Sequence, residues 1–341
     1  MKKLIILIAA VAMVASSALV VSAAEWNFYG SARMMTFSDN VETPGAKDDR
    51  DTTWDAQSNS RIGADVKVSD TLEGKFEYGT GVNLRRLYAE WNFGAGKLLA
   101  GQEYTPISDI AYSNQVWYED DNLNSTGIPY AGRVPMLQLT FGGLQVALVK
   151  PNTAAITGLS GDQDVTFPKI EFLYTLSMDN FWVDVYGGYE TYEVNSVDVD
   201  AYVLGVGGSV SFGPAYVRGT VYMAQNGNVY GLADAGDNLS GYNAASKKLI
   251  DNDTIGYALV AGYTVSDAIT IEAGYGANKH ELDVNGAKED DAAGYYVQAV
   301  ITLAPGVSIT PEIGVHDKKD DASGSEEGKV TYFGAKWQIN F

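Results

Sequence analysis

Two histidines, His280 and His316, are the only imidazoles in this 341-residue chain, and there is no cysteine. An imidazole does general acid–base work or ligates a metal when a nucleophile or carboxylates stand beside it. Neither Gly-x-Ser-x-Gly nor His-Glu-x-x-His is present to supply such partners. Both histidines fall at the outer ends of late strands and read as rim residues, so no catalytic site and no enzyme is expected. Without thiols there is neither a disulfide framework nor thiolate chemistry. Carboxylates are the abundant reactive groups, clustered at Asp48, Asp49 and Asp51, at Glu289, Asp290 and Asp291, and at Asp320, Asp321, Glu326 and Glu327. Oxygen ligands at this density can hold Ca²⁺ or Mg²⁺, but no twelve-residue calcium-loop pattern accompanies them. They read as solvated loop charge, with no specific metal and no cofactor. The net charge of −20 excludes nucleic acid, which needs clustered Lys and Arg.

Strands must carry whatever function these groups have. Met1, Lys2 and Lys3 precede an apolar run from Leu4 to Val21 that ends in Ser22, Ala23 and Ala24. About 20 apolar residues suffice for a membrane anchor, but Ser16 and Ser17 dilute this run, and the residues after it are aromatic and strand-like. Cleavage just before Glu25, or one residue earlier, is therefore expected. Residues 1–24 read as a signal peptide and 25–341 as the mature domain, whose charge is −22 once Lys2 and Lys3 are lost. No later apolar stretch approaches the length of a membrane helix, so a membrane role falls to strands. Period-two alternation runs almost everywhere after Glu25. In the last strand Thr331, Phe333, Ala335, Trp337, Ile339 and Phe341 share one face, and Tyr332, Gly334, Lys336, Gln338 and Asn340 the other.

A soluble sandwich would turn the apolar face to a core, and a membrane barrel would turn it to lipid. The connections decide. Long polar segments at 38–53, 104–132, 151–166, 226–252, 281–292 and 317–328, with shorter ones at 79–83 and 194–198, alternate with tight turns at 69–74, 94–96, 142–143, 177–180, 212–214, 265–268 and 304–306. Eight loops and seven turns separate sixteen strands. The expected fold is all-β: a closed antiparallel 16-stranded transmembrane β-barrel with long external loops and short periplasmic turns, in one domain. Leu87, Ala89, Trp91 and Phe93 form one lipid-facing row; Ile255, Tyr257, Leu259, Ala261 and Tyr263 another; Tyr295, Val297, Ala299, Ile301 and Leu303 a third. Aromatic residues at the row ends read as the two interfacial girdles.

Short stretches along this pattern resemble the general diffusion porins of Gram-negative outer membranes. Trp26-Asn27-Phe28-Tyr29-Gly30 is similar to the opening of that family's first strand, and Ser60-Arg61-Ile62-Gly63 to its second. Arg85 to Gly94, then Gly96 to Gln102, resembles the hairpin leading into the constriction loop; Gly132-Arg133-Val134 resembles the strand after it. Trp337, Ile339 and Phe341 resemble the C-terminal signal read by the barrel-assembly machinery. Two departures stand out: the loop lacks a Pro-Glu-Phe-Gly-Gly stretch, and the second loop, 79–83, is too short to latch onto a neighbouring subunit.

The resemblance implies a homotrimeric porin for passive diffusion of small hydrophilic solutes and ions, embedded among outer-membrane lipid and lipopolysaccharide. It also implies that the third loop, 104–132, folds inward, its acids Asp109, Glu119, Asp120 and Asp121 facing wall arginines. Arg61 and Arg133 are the foremost wall candidates, followed by Arg33 and either Arg85 or Arg86. Parity favours Arg86. Arg133 shares parity with Leu137, Leu139 and Phe141, so it faces the lumen only if Pro135 brings a bulge. A strand arginine is commonly just salt-bridged, but fixed cations opposite fixed anions would set a transverse field that favours hydrated polar solutes. The acidic chain points to a weak cation preference. The 226–252 loop is nearly as long but has no family precedent for entering the lumen. A substrate-selective channel such as an anion-uptake porin, a barrel enzyme and a structural surface barrel are the alternatives.

Overall fold

The computed structural model describes residues 24–154, 156–233 and 240–341. The expected signal peptide therefore lies outside the described residues, apart from Ala24. Sixteen antiparallel strands close into a barrel: β1 (Glu25–Glu42), β2 in two segments (Asp49–Ala56 and Arg61–Lys67), β3 (Leu72–Gly79), β4 (Leu84–Asn92), β5 (Lys97–Tyr104), β6 (Arg133–Phe141), β7 (Leu144–Val149), β8 (Lys169–Ser177), β9 (Phe181–Val194), β10 (Val197–Phe212), β11 (Ala215–Gln225), β12 (Asn252–Ser266), β13 (Ile269–Leu282), β14 (Asp290–Ala304), β15 (Val307–Asp317) and β16 (Lys329–Asn340). Each pairs with its sequence neighbours, and β1 closes on β16 in unbroken register from Ser31↔Asn340 to Glu42↔Lys329. Closure pairs the strand edges, the condition for backbone to lie in hydrocarbon.

Alternation sets the two faces. Leu87, Trp91, Tyr257, Leu259, Tyr295, Val297, Phe333, Trp337 and Ile339 stand exposed on the outside, while Tyr332, Tyr296, Tyr222 and Tyr186 are buried within. Inward tyrosines need space on the next strand, and glycine provides it. A Cβ on Gly205 would lie 2.3 Å from the Tyr186 ring, and one on Gly274 would lie 2.4 Å from that of Tyr296. The abundance of both residue types thus has a packing cause.

The connections alternate as expected, but several strands run further out than their sequence limits. β1 continues to Glu42 and β2 starts at Asp49, so the polar 38–53 stretch is mostly a projecting hairpin. The outer segment of β2 pairs only with β1, because β3 stops at Gly79. Its amides at Arg50, Thr52 and Ala56 donate instead to the carboxylates of Asp49, Asp51 and Asp55 at 2.7–2.9 Å. This caps and charges an otherwise open strand edge. Asp49 and Asp51 thus have a local structural use beyond solvated loop charge.

Candidate functional site

The connection from β5 to β6 lies inside the barrel. Its polar groups are tied to inward carboxylates on one strand after another. Ile107 N–H donates to Glu171 on β8 at 3.4 Å, and Tyr112 Oη to Asp184 on β9 at 3.4 Å. Asn114 donates through N and Nδ2 to Glu272 on β13 at 3.0 and 2.6 Å, and the Val116 and Trp117 amides share Glu312 on β15 at 2.8 and 3.1 Å. The Trp117 indole stacks on Tyr332 of β16 at 4.3 Å and donates to Asp39 of β1 at 3.1 Å. Buried carboxylates need such donors. The wall acids hold the loop, and the loop's N–H groups satisfy the wall acids.

The loop tip carries the expected acids onto the opposite side. Asp120 bridges Arg33 of β1 at 2.5 Å and Lys336 of β16 at 2.9 Å. Glu119 accepts from N and Oγ of Ser58, at the break between the two segments of β2, and its carbonyl accepts from Asn59. Asp121 accepts from Ser125 Oγ at 2.7 Å, and burial pushes its carboxyl up to about 6. Asp109 stands apart, near Gln145 of β7 at 3.3 Å, and burial raises it too.

Between the loop and the β1–β6 wall remains a cavity of about 680 Å³. Arg33, Arg61, Arg85, Arg133 and Lys336 line it from the wall, and Asp109, Glu119, Asp120 and Asp121 from the loop. Five cations thus meet four carboxylates in a narrow polar space. This can orient and pass a hydrated solute. His280 bonds to Thr254 on β12 at 2.8 Å, and His316 packs on Trp117 with ring centroids 5.8 Å apart; β14 separates their strands. Among the described residues no three His, Cys, Asp or Glu side chains group as a metal site.

The sequence matches the family model for Gram-negative porins over residues 7–321. The chain belongs to the Gram-negative porin family. No curated protein matches it closely enough to name a nearer relative. Its fold is similar to that of the outer-membrane channel DcaP of Acinetobacter baumannii at 15% identity and TM-score 0.70, covering 93% of this chain and 97% of that one. OmpT of Vibrio cholerae in its trimer form superposes at 18% identity and TM-score 0.64, over 94% and 100% of the two chains. The anion-selective porin from Comamonas acidovorans does so at 13% and 0.63, over 93% and 100%. Its family and fold are those of an outer-membrane β-barrel channel.

Within this porin the arginines part from their expected placement in two respects. The choice between Arg85 and Arg86 dissolves, because both point inward. The register slips where Glu77 pairs with Arg86 and Tyr78 with Leu84, leaving Arg85 as an extra residue that breaks the parity. Arg85 reaches the cavity, bonded to Glu77 at 2.8 Å and Asn59 at 2.7 Å, whereas Arg86 is held away from it by Glu103. Arg133 reaches the lumen without a bulge at Pro135, since its pairing with β5 is continuous from Tyr104↔Arg133 to Lys97↔Thr140. It is the first residue of β6, just past Gly132 at φ +80°, and its guanidinium lies against Tyr104, bonding Oη at 2.8 Å.

Arg61 faces inward as the resemblance implied, 3.6 Å from Glu77. Lys336 was legible as an inward residue but not as a partner of the loop. The wall carboxylates Glu171, Asp184, Glu272 and Glu312 escaped the residue-level reading. Their signal was a charged residue at lumen parity between apolar neighbours.

Proposed function

We propose that this channel passes small hydrophilic solutes and ions by passive diffusion, and that the inward 105–132 segment sets its exclusion limit. The observation that carries the reading is the cavity between that segment and the β1–β6 wall, with Arg33, Arg61, Arg85 and Arg133 on one side and the loop acids on the other. A sixteen-stranded barrel is wide enough to leave an aqueous lumen, so a narrowing element is needed if larger solutes are refused. Near-balance of charge at the constriction makes it a polar filter rather than a strong ion selector. The acidic outer loops then add a weak cation preference at low salt.

The protein works as a homotrimer in outer-membrane lipid and lipopolysaccharide, after export through a cleaved signal peptide and insertion by the barrel-assembly machinery. Phe341 supports the last step, since its backbone pairs with Gly30 at 2.7 and 3.0 Å and its ring covers that glycine on the outer surface. A second reading, anion uptake, is favoured by Arg133, whose guanidinium binds a tyrosine hydroxyl rather than a carboxylate. Planar-bilayer reversal potentials separate the two. Weak cation preference at low salt supports diffusion, and clear anion preference at low and high salt supports uptake. Shortening 105–132 should admit larger sugars in liposome swelling; an unchanged size limit overturns its role as the constriction.

A further inference from the structure

The start of the 226–251 connection, residues 226–233, also enters the barrel. It opens with a short helical turn, Gly227–Tyr230, and in the turn and the residues after it Val229 and Tyr230 are fully buried and Leu232 nearly so. These three join an apolar cluster with Ile107 and Ile128 of the first inward loop, Ile156 of the 150–168 connection, and Val199 and Val203 of β10. An apolar turn in an outer loop has no reason to leave the surface unless it finds apolar partners within. The two inward loops also share backbone, since Ala233 N–H donates to Tyr130 C=O at 2.8 Å. Asn152 Nδ2 fastens the turn from above, at 2.8 Å from the Val229 carbonyl.

Beneath the turn lie charges that the cavity never meets. Lys169 on β8 and Glu171 form an ion pair at 3.3 Å, with side chains at most 2% exposed. The Lys169 ammonium donates to the Tyr230 carbonyl at 3.1 Å and lies 4.3 Å from the centre of its ring. Glu190 on β9 is also buried, its carboxylate accepting from Asn152 N–H at 2.6 Å. The Tyr230 hydroxyl end sits over Gly188, on the same inward face of β9.

We propose that the turn carrying Val229, Tyr230 and Leu232 is a second constriction element, which seals the β8–β10 side of the lumen and keeps Lys169, Glu171 and Glu190 out of the solute path. This rests on the reading of the barrel as a diffusion channel. The path is then confined to the arginine side, and size limit and selectivity are set jointly by both loops. One cation and two carboxylates lie under the turn, so opening it exposes net negative charge.

The test uses the full-length protein in planar bilayers, with heat-modifiable migration confirming that each variant has folded. Tyr230→Ala should raise single-channel conductance and move the reversal potential toward cations, and Tyr230→Phe should keep both near the parent. Adding Glu190→Gln to Tyr230→Ala should take back part of the cation shift. Because the chain has no cysteine, accessibility can be read directly. Val229→Cys should resist a charged methanethiosulfonate reagent, whereas Ala233→Cys, at the cavity edge, should react and reduce current. Unchanged conductance in Tyr230→Ala, or equal labelling at both positions, overturns the seal. A conductance rise with no selectivity shift overturns the part assigned to the buried charges. A parent protein that does not conduct would instead remove the channel reading itself.

Discussion

Asp120→Asn isolates the fixed charge of the proposed constriction from its shape. In the parent one carboxylate serves two cations, Arg33 at 2.5 Å and Lys336 at 2.9 Å, and all three side chains are 10–13% exposed. The amide keeps the volume and one acceptor but removes the charge, leaving both cations to face the cavity. Removing one partner of a dry buried pair costs about 3–5 kcal/mol; here the cavity lets solvent reach the cations, and strand pairing holds the barrel, so folding survives. Two unit charges about 4 Å apart in water interact by about 1 kcal/mol, and about 1.4 kcal/mol is tenfold, so the cation-to-anion permeability ratio should fall by up to about fivefold at low salt. The effect should shrink as the Debye length falls from about 30 Å at 0.01 M to about 10 Å at 0.1 M. Reversal potentials across a salt gradient measure it, with Asp321→Asn in an outer loop as the comparison. A ratio unchanged by Asp120→Asn at low salt, or moved equally by Asp321→Asn, would refute the assignment of the field to the constriction.

Three further outcomes rest on the same contacts. Glu312→Gln removes the charge that the Val116 and Trp117 amides share; hydrogen bonds to charged groups are worth about 1.5–3 kcal/mol each, so open-channel noise should rise as the loop loosens, and a trace as quiet as the parent's would contradict the docking. Burial holds the Asp121 carboxyl at about 6, above the ordinary range for aspartate, so lowering the pH from about 7 to about 5 neutralises it and selectivity should drift toward anions; the inflection near pH 6 should vanish in Asp121→Asn, and its persistence would place the titration elsewhere. Phe341→Asp puts a charge on the lipid face beside Gly30, so the yield of heat-modifiable barrel in outer membranes should drop; normal insertion would count against Phe341 as an assembly determinant.

The order of strands and connections was legible in the residues, because strand pairing is local and side-chain period is two: inward and outward sets follow from any continuous run of alternation. That sufficed for sixteen strands and for the outward rows around Trp91, Tyr257 and Phe333, whereas the inward placement of Arg33 and Arg61 came from the porin resemblance. Parity fails where the ladder gains a residue, and only the bulge beside Glu77 decided that Arg85 rather than Arg86 reaches the cavity. It also does not bind a strand's first residue, which is how Arg133 turns inward beside Pro135. Paths of long loops are set by contacts far apart in the chain, so their length and charge carried little of the answer. The anchoring of 105–132 became visible only when its amides met Glu272 and Glu312, more than 150 residues away. Nor does the polar composition of 226–251 disclose its inward turn, since a three-residue apolar patch has no periodicity to read; its burial depends on the cluster it completes with two other loops and the wall.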